Sequence, residues 1–311
     1  FKPKYKKILV LDNLTFYKNI FLKRKFYNVL FARYEEFYIR ILLKSLFIFF
    51  KKKRNFTFLQ IYILESIRWL DPKYIITFTD HNIFFIQLKK YFPDKKIIFF
   101  QDTYRGADTF EILKSKLTNL IKKNKKKIEI DYFFLFGKEI GKFYKKYFKT
   151  KFIFHGSARN NLKTTKKKIK KNYLVLISNF SHLNIYKNKG YKIIKALNLF
   201  KKYCERYKLK IVVFGRATPD NEAKEMNFYD EIFGHSKYLY YPRGICNHYQ
   251  NSEKYHYFFN FTSTFGYELA TRGKRVIFIY APLIKEQNLK LQFAYPKKIK
   301  SYGSFWTKSL D

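Results

Sequence analysis

Apolar and polar residues follow one another along this chain in blocks whose length predicts a repeated strand and helix order. Short runs rich in Ile, Val and Phe, each closed by a polar cluster, read as buried strands: Lys7–Leu11, Tyr74–Phe78, Lys96–Phe100, Tyr132–Phe136, Phe152–Phe154, Tyr173–Ile177, Lys210–Phe214, Leu239–Tyr241, Tyr257–Phe261 and Arg275–Tyr280. Between them, apolar residues at helical spacing predict helices over Asn28–Phe50, Gln60–Leu70, Ile83–Tyr91, from Gly137 to Phe148, Tyr191–Tyr207, Phe228–Phe233 and about Phe265–Arg272. Asp71-Pro72 ends the second of these, because the residue before proline resists the α region. The Lys-rich stretch Leu113–Ile128 reads as a solvated helix or loop, and Asn251–Lys254 as the start of a helix or turn.

The alternation occurs twice. It predicts an α/β protein of two doubly wound Rossmann-like domains facing a cleft, 1–161 and 173–311. The run 162–172 holds six lysines and no large aromatic, and reads as the linker, since so charged a stretch cannot bury enough surface to fold alone.

Composition changes this picture little, but charge adds to it. The 311 residues are 47% hydrophobic, enough for substantial cores. Lys and Arg number 65 against 23 Asp and Glu, a formal net charge of +42. The cations are scattered over every segment and accompany abundant Asn, Ile, Phe and Tyr, the composition of an AT-rich coding sequence, so no specific nucleic-acid partner is expected. The field would still draw the chain to an acidic inner-membrane surface. Two cysteines, Cys204 and Cys246, form no metal-ligand pattern and suit a reducing cytoplasm. No apolar run reaches the roughly 18 residues of a membrane span. Ile41–Phe50, interrupted by Lys44 and bounded by the basic run Lys51–Arg54, is expected as a buried core helix, with a surface-lying amphipathic helix as the alternative. The chain opens on Phe1 and ends soon after Trp306, which predicts missing residues at the start and a missing C-terminal helix.

Candidate chemistry collects where polar residues follow strands. In N-F-T-S-T-F-G-Y-E-L, from Asn260 to Leu269, the turn into a helix offers free backbone N–H groups and the positive end of a helix dipole to a phosphate. Ser263 and Thr264 add hydroxyl donors, and Gly266 leaves room for close backbone approach. Glu268 falls outside the register of a capping box, which frees it for ribose hydroxyls; the plainer reading is an acidic residue favoured by the dipole. Asp80 follows a strand and suits a base or an acceptor ligand, with capping of the next helix as the competing role. Gln101 and Arg105 follow the strand Lys96–Phe100, and Arg105 is of interest for its bidentate fork. His155 and Arg159 would face the cleft, although a lone His is more often structural than catalytic. Asp12 and Asn13 are weaker candidates, with turn formation the simpler explanation. No Walker A, G-x-G-x-x-G or H-E-x-x-H pattern occurs, which counts against ATP, dinucleotide and zinc-protease chemistry.

S-T-F-G-Y-E-L-A-T-R-G-K-R-V-I-F-I, from Ser263 to Ile279, resembles the C-terminal signature of the O-antigen, or surface carbohydrate, biosynthesis family of GT-B-like glycosyltransferases. D-P-K-Y-I-I-T-F-T-D-H-N, I-I-F-F-Q-D-T-Y-R-G, D-Y-F-F-L-F-G, H-G-S-A-R-N-N, V-V-F-G-R and Y-G-S-F-W-T fit it in order, over nearly the whole chain. The resemblance implies transfer of a sugar from a nucleotide-activated donor to a glycan or lipid-linked glycan acceptor. On that reading the C-terminal half holds the donor, with Ser263, Thr264 and Gly266 at the phosphates, Glu268 at the ribose, and Arg216 and Arg243 neutralising the leaving nucleotide without a metal or other cofactor. The N-terminal half, with Asp80, Gln101, Arg105 and Arg159, holds the acceptor, and Asp80 or His155 is the base. The same fold carries nucleotide-sugar epimerases, which these motifs leave open. A non-catalytic binder of polyanions or membrane surfaces is the third reading.

Overall fold

Short buried strands and amphipathic helices alternate through the computed structural model, which describes residues 5–11, 26–30, 37–51, 56–103, 107–162, 164–165, 167–180, 191–261, 263–279, 302–303 and 306–307. The chain divides into two units, with the change after Asn161.

The first unit holds strands β1 (Ile8–Leu11), β2 (Tyr27–Leu30), β3 (Tyr74–Thr77), β4 (Lys96–Phe100), β5 (Ile128–Leu135) and β6 (Phe148–Phe154). They form one parallel sheet in the order β2-β1-β3-β4-β5-β6. Its helices are α1 (Ile39–Lys51), α2 (Phe58–Leu70), the single turns α3 (Ile83–Ile86) and α4 (Leu88–Tyr91), α5 (Ala107–Asn124) and α6 (Lys138–Tyr144). Leu9, Ile75, Ile97, Phe99, Phe133 and Leu135 are fully buried, so these strands read as nearly continuous apolar runs. Helix α2 opens with a capping box between Thr57 and Gln60 and closes at Asp71, which takes the left-handed conformation before Pro72.

The second unit holds β7 (Tyr173–Ile177), β8 (Lys210–Phe214), β9 (Tyr238–Tyr241), β10 (Tyr257–Asn260), β11 (Arg275–Ile279) and the two-residue strands β12 (Tyr302–Gly303) and β13 (Trp306–Thr307). The order is β12-β13-β11-β10-β7-β8-β9, parallel except for the β12–β13 pair. Helices α7 (Tyr191–Arg206) and α8 (Glu222–Phe233) pack on one sheet face through Ile193, Leu197, Phe200, Tyr229 and Phe233. Helix α10 (Thr264–Thr271) covers the other face with Phe265 and Leu269, joined there by Tyr255, which follows α9 (Ile245–Ser252). Both units are therefore Rossmann-like, as the alternation predicts.

Several expectations change. Asn251–Lys254, expected to start a helix or turn, instead closes α9. Tyr27–Leu30 is a buried strand rather than the start of a long helix, because its register matches the free edge of β1. Helix α6 ends at Tyr144, and Phe148 already belongs to β6. Of the Lys-rich stretch Leu113–Ile128, Leu113–Asn124 belongs to the 18-residue helix α5, with Leu113 and Leu117 buried, and Ile128 opens β5. Helix α1 is not a buried core helix: it buries Ile41 and Ser45 and leaves Ile39, Leu43, Phe47 and Phe50 exposed.

The described residues between Asn161 and Tyr173 lack regular structure, and Leu162 and Thr164 are fastened to the second unit. Arg272 donates to the Leu162 carbonyl and to Thr164 Oγ1, and Thr164 donates in turn to Glu253. Among the described residues no helix is long and apolar enough to cross a membrane.

Candidate functional site

In an open parallel sheet, ligands bind beyond the carboxyl ends of the strands, where the strand order reverses. In the second unit the chain runs β7 to β8 to β9 on one side, then crosses back to β10 on the other, so the switch point lies between β7 and β10. Ser178 and Asn179 follow β7, Gly215 and Arg216 follow β8, and Ser263 follows β10. One arginine and the start of one helix thus meet the same edge.

A buried carboxylate shapes the β8 side of this edge. Glu225 of α8 is fully buried and accepts from the backbone N–H of Arg216 at 3.0 Å, from Ala217 N–H at 2.7 Å and from Tyr240 Oη at 2.8 Å, as well as from Ser178 Oγ. Tyr229 donates to the same serine hydroxyl. So many donors hold a charged group in the interior and fix the loop after β8. Arg216 then extends to Asn179, its guanidinium donating to Oδ1 at 3.0 Å. Gly215 is needed here, since a Cβ would collide with the Tyr240 ring. Glu225 and Asn179 escape sequence reasoning, because Glu225 lies before the predicted helix Phe228–Phe233 and both read as ordinary polar loop residues.

The turn from β10 into α10 is built around Asn260. Its fully buried side chain accepts from Ser263 N–H and donates to the Ser263 carbonyl, both at 3.2 Å. Ser263 caps α10 and accepts from Phe265 N–H, and Thr264 begins the helix. Gly266 is one turn in, and here the expectation of open space is corrected: a Cβ there would stand 2.5 Å from Asn260 Cγ, so the amide of Asn260 fills the room. Glu268 is only 2% exposed, and its carboxylate accepts from the hydroxyl of Tyr249 on α9. The Arg272 guanidinium lies 4.8 Å from the centre of the Tyr249 ring. Arg243 is exposed in the turn after β9, at the far edge of the sheet from β10.

In the first unit the structure brings together Gln101, His155 and Arg159 over the carboxyl ends of β4, β5 and β6. Gln101 ties two of these ends, accepting from Phe136 N–H and donating to the Thr103 carbonyl. Arg159 pairs with Asp102. The His155 ring stacks on Phe100 and packs against Phe134, with Nδ1 on the Gly156 carbonyl and a buried Nε2 that has no hydrogen-bond partner among the described residues. Burial lowers the His155 pKa below the usual value, which keeps the imidazole neutral at pH 7. Asp80, which follows β3, is fully buried, with the Tyr144 hydroxyl donating to it at 3.0 Å. It does not cap α3; Asn82 does, accepting from Phe84 and Phe85 N–H. Arg105, Asp12 and Asn13 lie outside the described residues. Among the described residues, no three His, Cys, Asp or Glu side chains gather as metal ligands would.

Known proteins resemble the chain at two levels. A family model described as putative O-antigen biosynthesis protein matches residues 98–311. Among proteins of curated function, none matches the sequence. Among solved structures, the S. aureus MnaA–UDP complex is similar at 14% identity and a TM-score of 0.55, over 89% of this chain and 80% of that one. A UDP-N-acetylglucosamine 2-epimerase is similar at 13% and 0.51, over 92% and 81%. A protein from Listeria monocytogenes, described as a putative UDP-N-acetylglucosamine 2-epimerase, is similar at 14% and 0.53, over 88% and 78%. At these identities the likeness is one of fold.

Proposed function

We propose the following for this chain, which belongs to the putative O-antigen biosynthesis protein family: it transfers a sugar from a nucleotide-activated donor to a surface glycan or lipid-linked glycan at the cytoplasmic face of an acidic membrane. The observation that carries the reading is the switch point of the second sheet, where Arg216, steadied by Asn179 and the loop on Glu225, shares the carboxyl edge with the capped start of α10. A diphosphate there would accept from the Ser263 and Thr264 hydroxyls, and would take the Phe265 N–H in place of its bond to Ser263 Oγ. The Arg216 guanidinium would take up the charge that grows on the leaving nucleotide, with exposed Arg243 as a second cation. A ribose reaches Glu268 only if the Tyr249 hydroxyl releases its carboxylate, so Glu268 enters as a residue that donor binding would uncover. In the first unit, neutral His155, with its unpartnered Nε2, has the protonation state that a base for an acceptor hydroxyl needs, and Arg159 and Gln101 border it.

Thermal stabilisation by a panel of nucleoside diphosphates and their sugars, followed by product analysis, tests this. A selective rise in Tm that is lost in Arg216→Ala and reduced in Glu268→Gln, with nucleotide released only when an acceptor is added, is the expected result. Conversion of the nucleotide sugar to its epimer would replace transfer by epimerisation at the same site. Equal rises with all nucleotides and with polyphosphate would refute a donor site.

A further inference from the structure

Helix α1 packs one side against α2, where Lys44 also pairs with Glu65. Its other side carries Ile39, Leu43, Phe47 and Phe50 at 72%, 61%, 65% and 78% exposure. Among the described residues, the two most exposed large apolar side chains, Phe50 and Ile39, are both here. At about 100° per residue these four side chains fall in a stripe about 80° wide. Arg40, Lys51 and Lys44 follow within about the next 60° on one side of it. Lys51 Nζ lies 5.4 Å from the centre of the Phe47 ring, and no acidic residue occurs in the helix. The sequence runs on as Lys52-Lys53-Arg54.

We propose that α1 is a bilayer-docking helix that lies in the headgroup region of a membrane containing anionic lipid. Ile39, Leu43, Phe47 and Phe50 would enter the acyl boundary, and Arg40 and Lys51 would meet the headgroups, while Lys44 stays with Glu65. An apolar stripe bordered by cations has the chemistry of an interfacial helix. The 13 residues of α1 span about 20 Å, short of the roughly 30 Å of hydrocarbon that a crossing helix needs. Charge also decides against a second copy as the occupant. Two such faces would set the same cations against each other on chains of net charge +42, whereas an acidic bilayer complements them. The inference rests on the membrane-surface part of the proposed function and not on its transfer chemistry.

The test is co-sedimentation of the full chain with vesicles of phosphatidylcholine alone and of an equal mixture with phosphatidylglycerol. Binding to the mixture, weakened about tenfold or more in the double variant Leu43→Glu/Phe47→Glu and also weakened in Arg40→Gln/Lys51→Gln, is expected. A Phe47→Trp reporter should shift its emission to the blue on the mixed vesicles. Unchanged binding by the Leu43→Glu/Phe47→Glu chain, with circular dichroism showing it folded, would overturn the proposal and leave adsorption through scattered lysines. Self-association of the unmodified chain that this variant abolishes, without vesicle binding, would assign the face to a second copy and overturn it equally. Nucleotide-sugar turnover by the same variant in lipid-free solution reads the transfer reaction separately, so loss of one does not imply loss of the other.

Discussion

Gly266 separates a packing requirement from a ligand requirement, and a double-mutant cycle with Asn260 measures which one operates. An alanine at 266 must push the Asn260 side chain aside, since the new Cβ would lie 2.5 Å from its Cγ and 2.9 Å from its Cβ. Displacing that side chain breaks both bonds to Ser263, each worth about 1 kcal/mol net. Overpacking adds about 1–3 kcal/mol, and the gain from replacing a helical glycine returns up to about 1 kcal/mol. Gly266→Ala should therefore cost roughly 2–4 kcal/mol. In an Asn260→Gly background the obstruction and both bonds are already gone, so adding Gly266→Ala should be neutral or slightly stabilising. The coupling expected between the two sites is about 3 kcal/mol, read from urea midpoints at constant slope. Additivity within about 0.5 kcal/mol would refute the packing account. If Gly266→Ala left stability unchanged and abolished only nucleotide binding, the glycine would be there for a ligand.

The fold was legible where a covered strand's apolar run is closed by polar residues. Lys96–Phe100, Tyr173–Ile177 and Lys210–Phe214 agree with the structure residue for residue, because a covered parallel strand leaves an unbroken apolar run with a polar stop. Tyr27–Leu30 was not legible, since the Phe- and Leu-rich residues around it continue at helical spacing and only pairing with β1 marks a strand. Helix α1 fails for a related reason: apolar residues on two of its sides do not say which side the protein covers. At the site, position along the chain was legible and partnership was not. Polar residues after β7, β8 and β10 announce the carboxyl edge, but the bonds that organise it join Arg216 to Asn179, Ser178 to Glu225, and Tyr249 to Glu268. These pairs are 37, 47 and 19 residues apart, beyond any local period. Asn260 and Gly266 are six apart across a turn, and the same glycine that suggests ligand access in the sequence proves to accommodate an amide.

Two further expectations follow from buried polar groups. Glu225→Leu should destabilise the protein by about 3–5 kcal/mol, since it strands the N–H groups of Arg216 and Ala217 and the hydroxyls of Ser178 and Tyr240; Glu225→Gln, which keeps an acceptor, should cost about half as much in the same denaturation experiment. His155 ties stability to pH in a direction that its surroundings fix. Burial among Phe100 and Phe134 depresses its folded pKa below the ordinary 6.5, so the unfolded chain takes up a proton at a pH where the folded chain does not. The stability this group contributes is present above about pH 6.5 and is lost as pH falls toward the folded value. His155→Phe keeps an aromatic ring in the stack and removes both the titration and the unpartnered Nε2, so it should flatten the decline in stability between pH 7 and pH 5 relative to the unmodified chain. His248 and His256 carry the same sign of shift in both proteins, so the difference between the two curves isolates position 155. Parallel curves would refute a neutral, desolvated imidazole there and with it the protonation state that a base at this position requires.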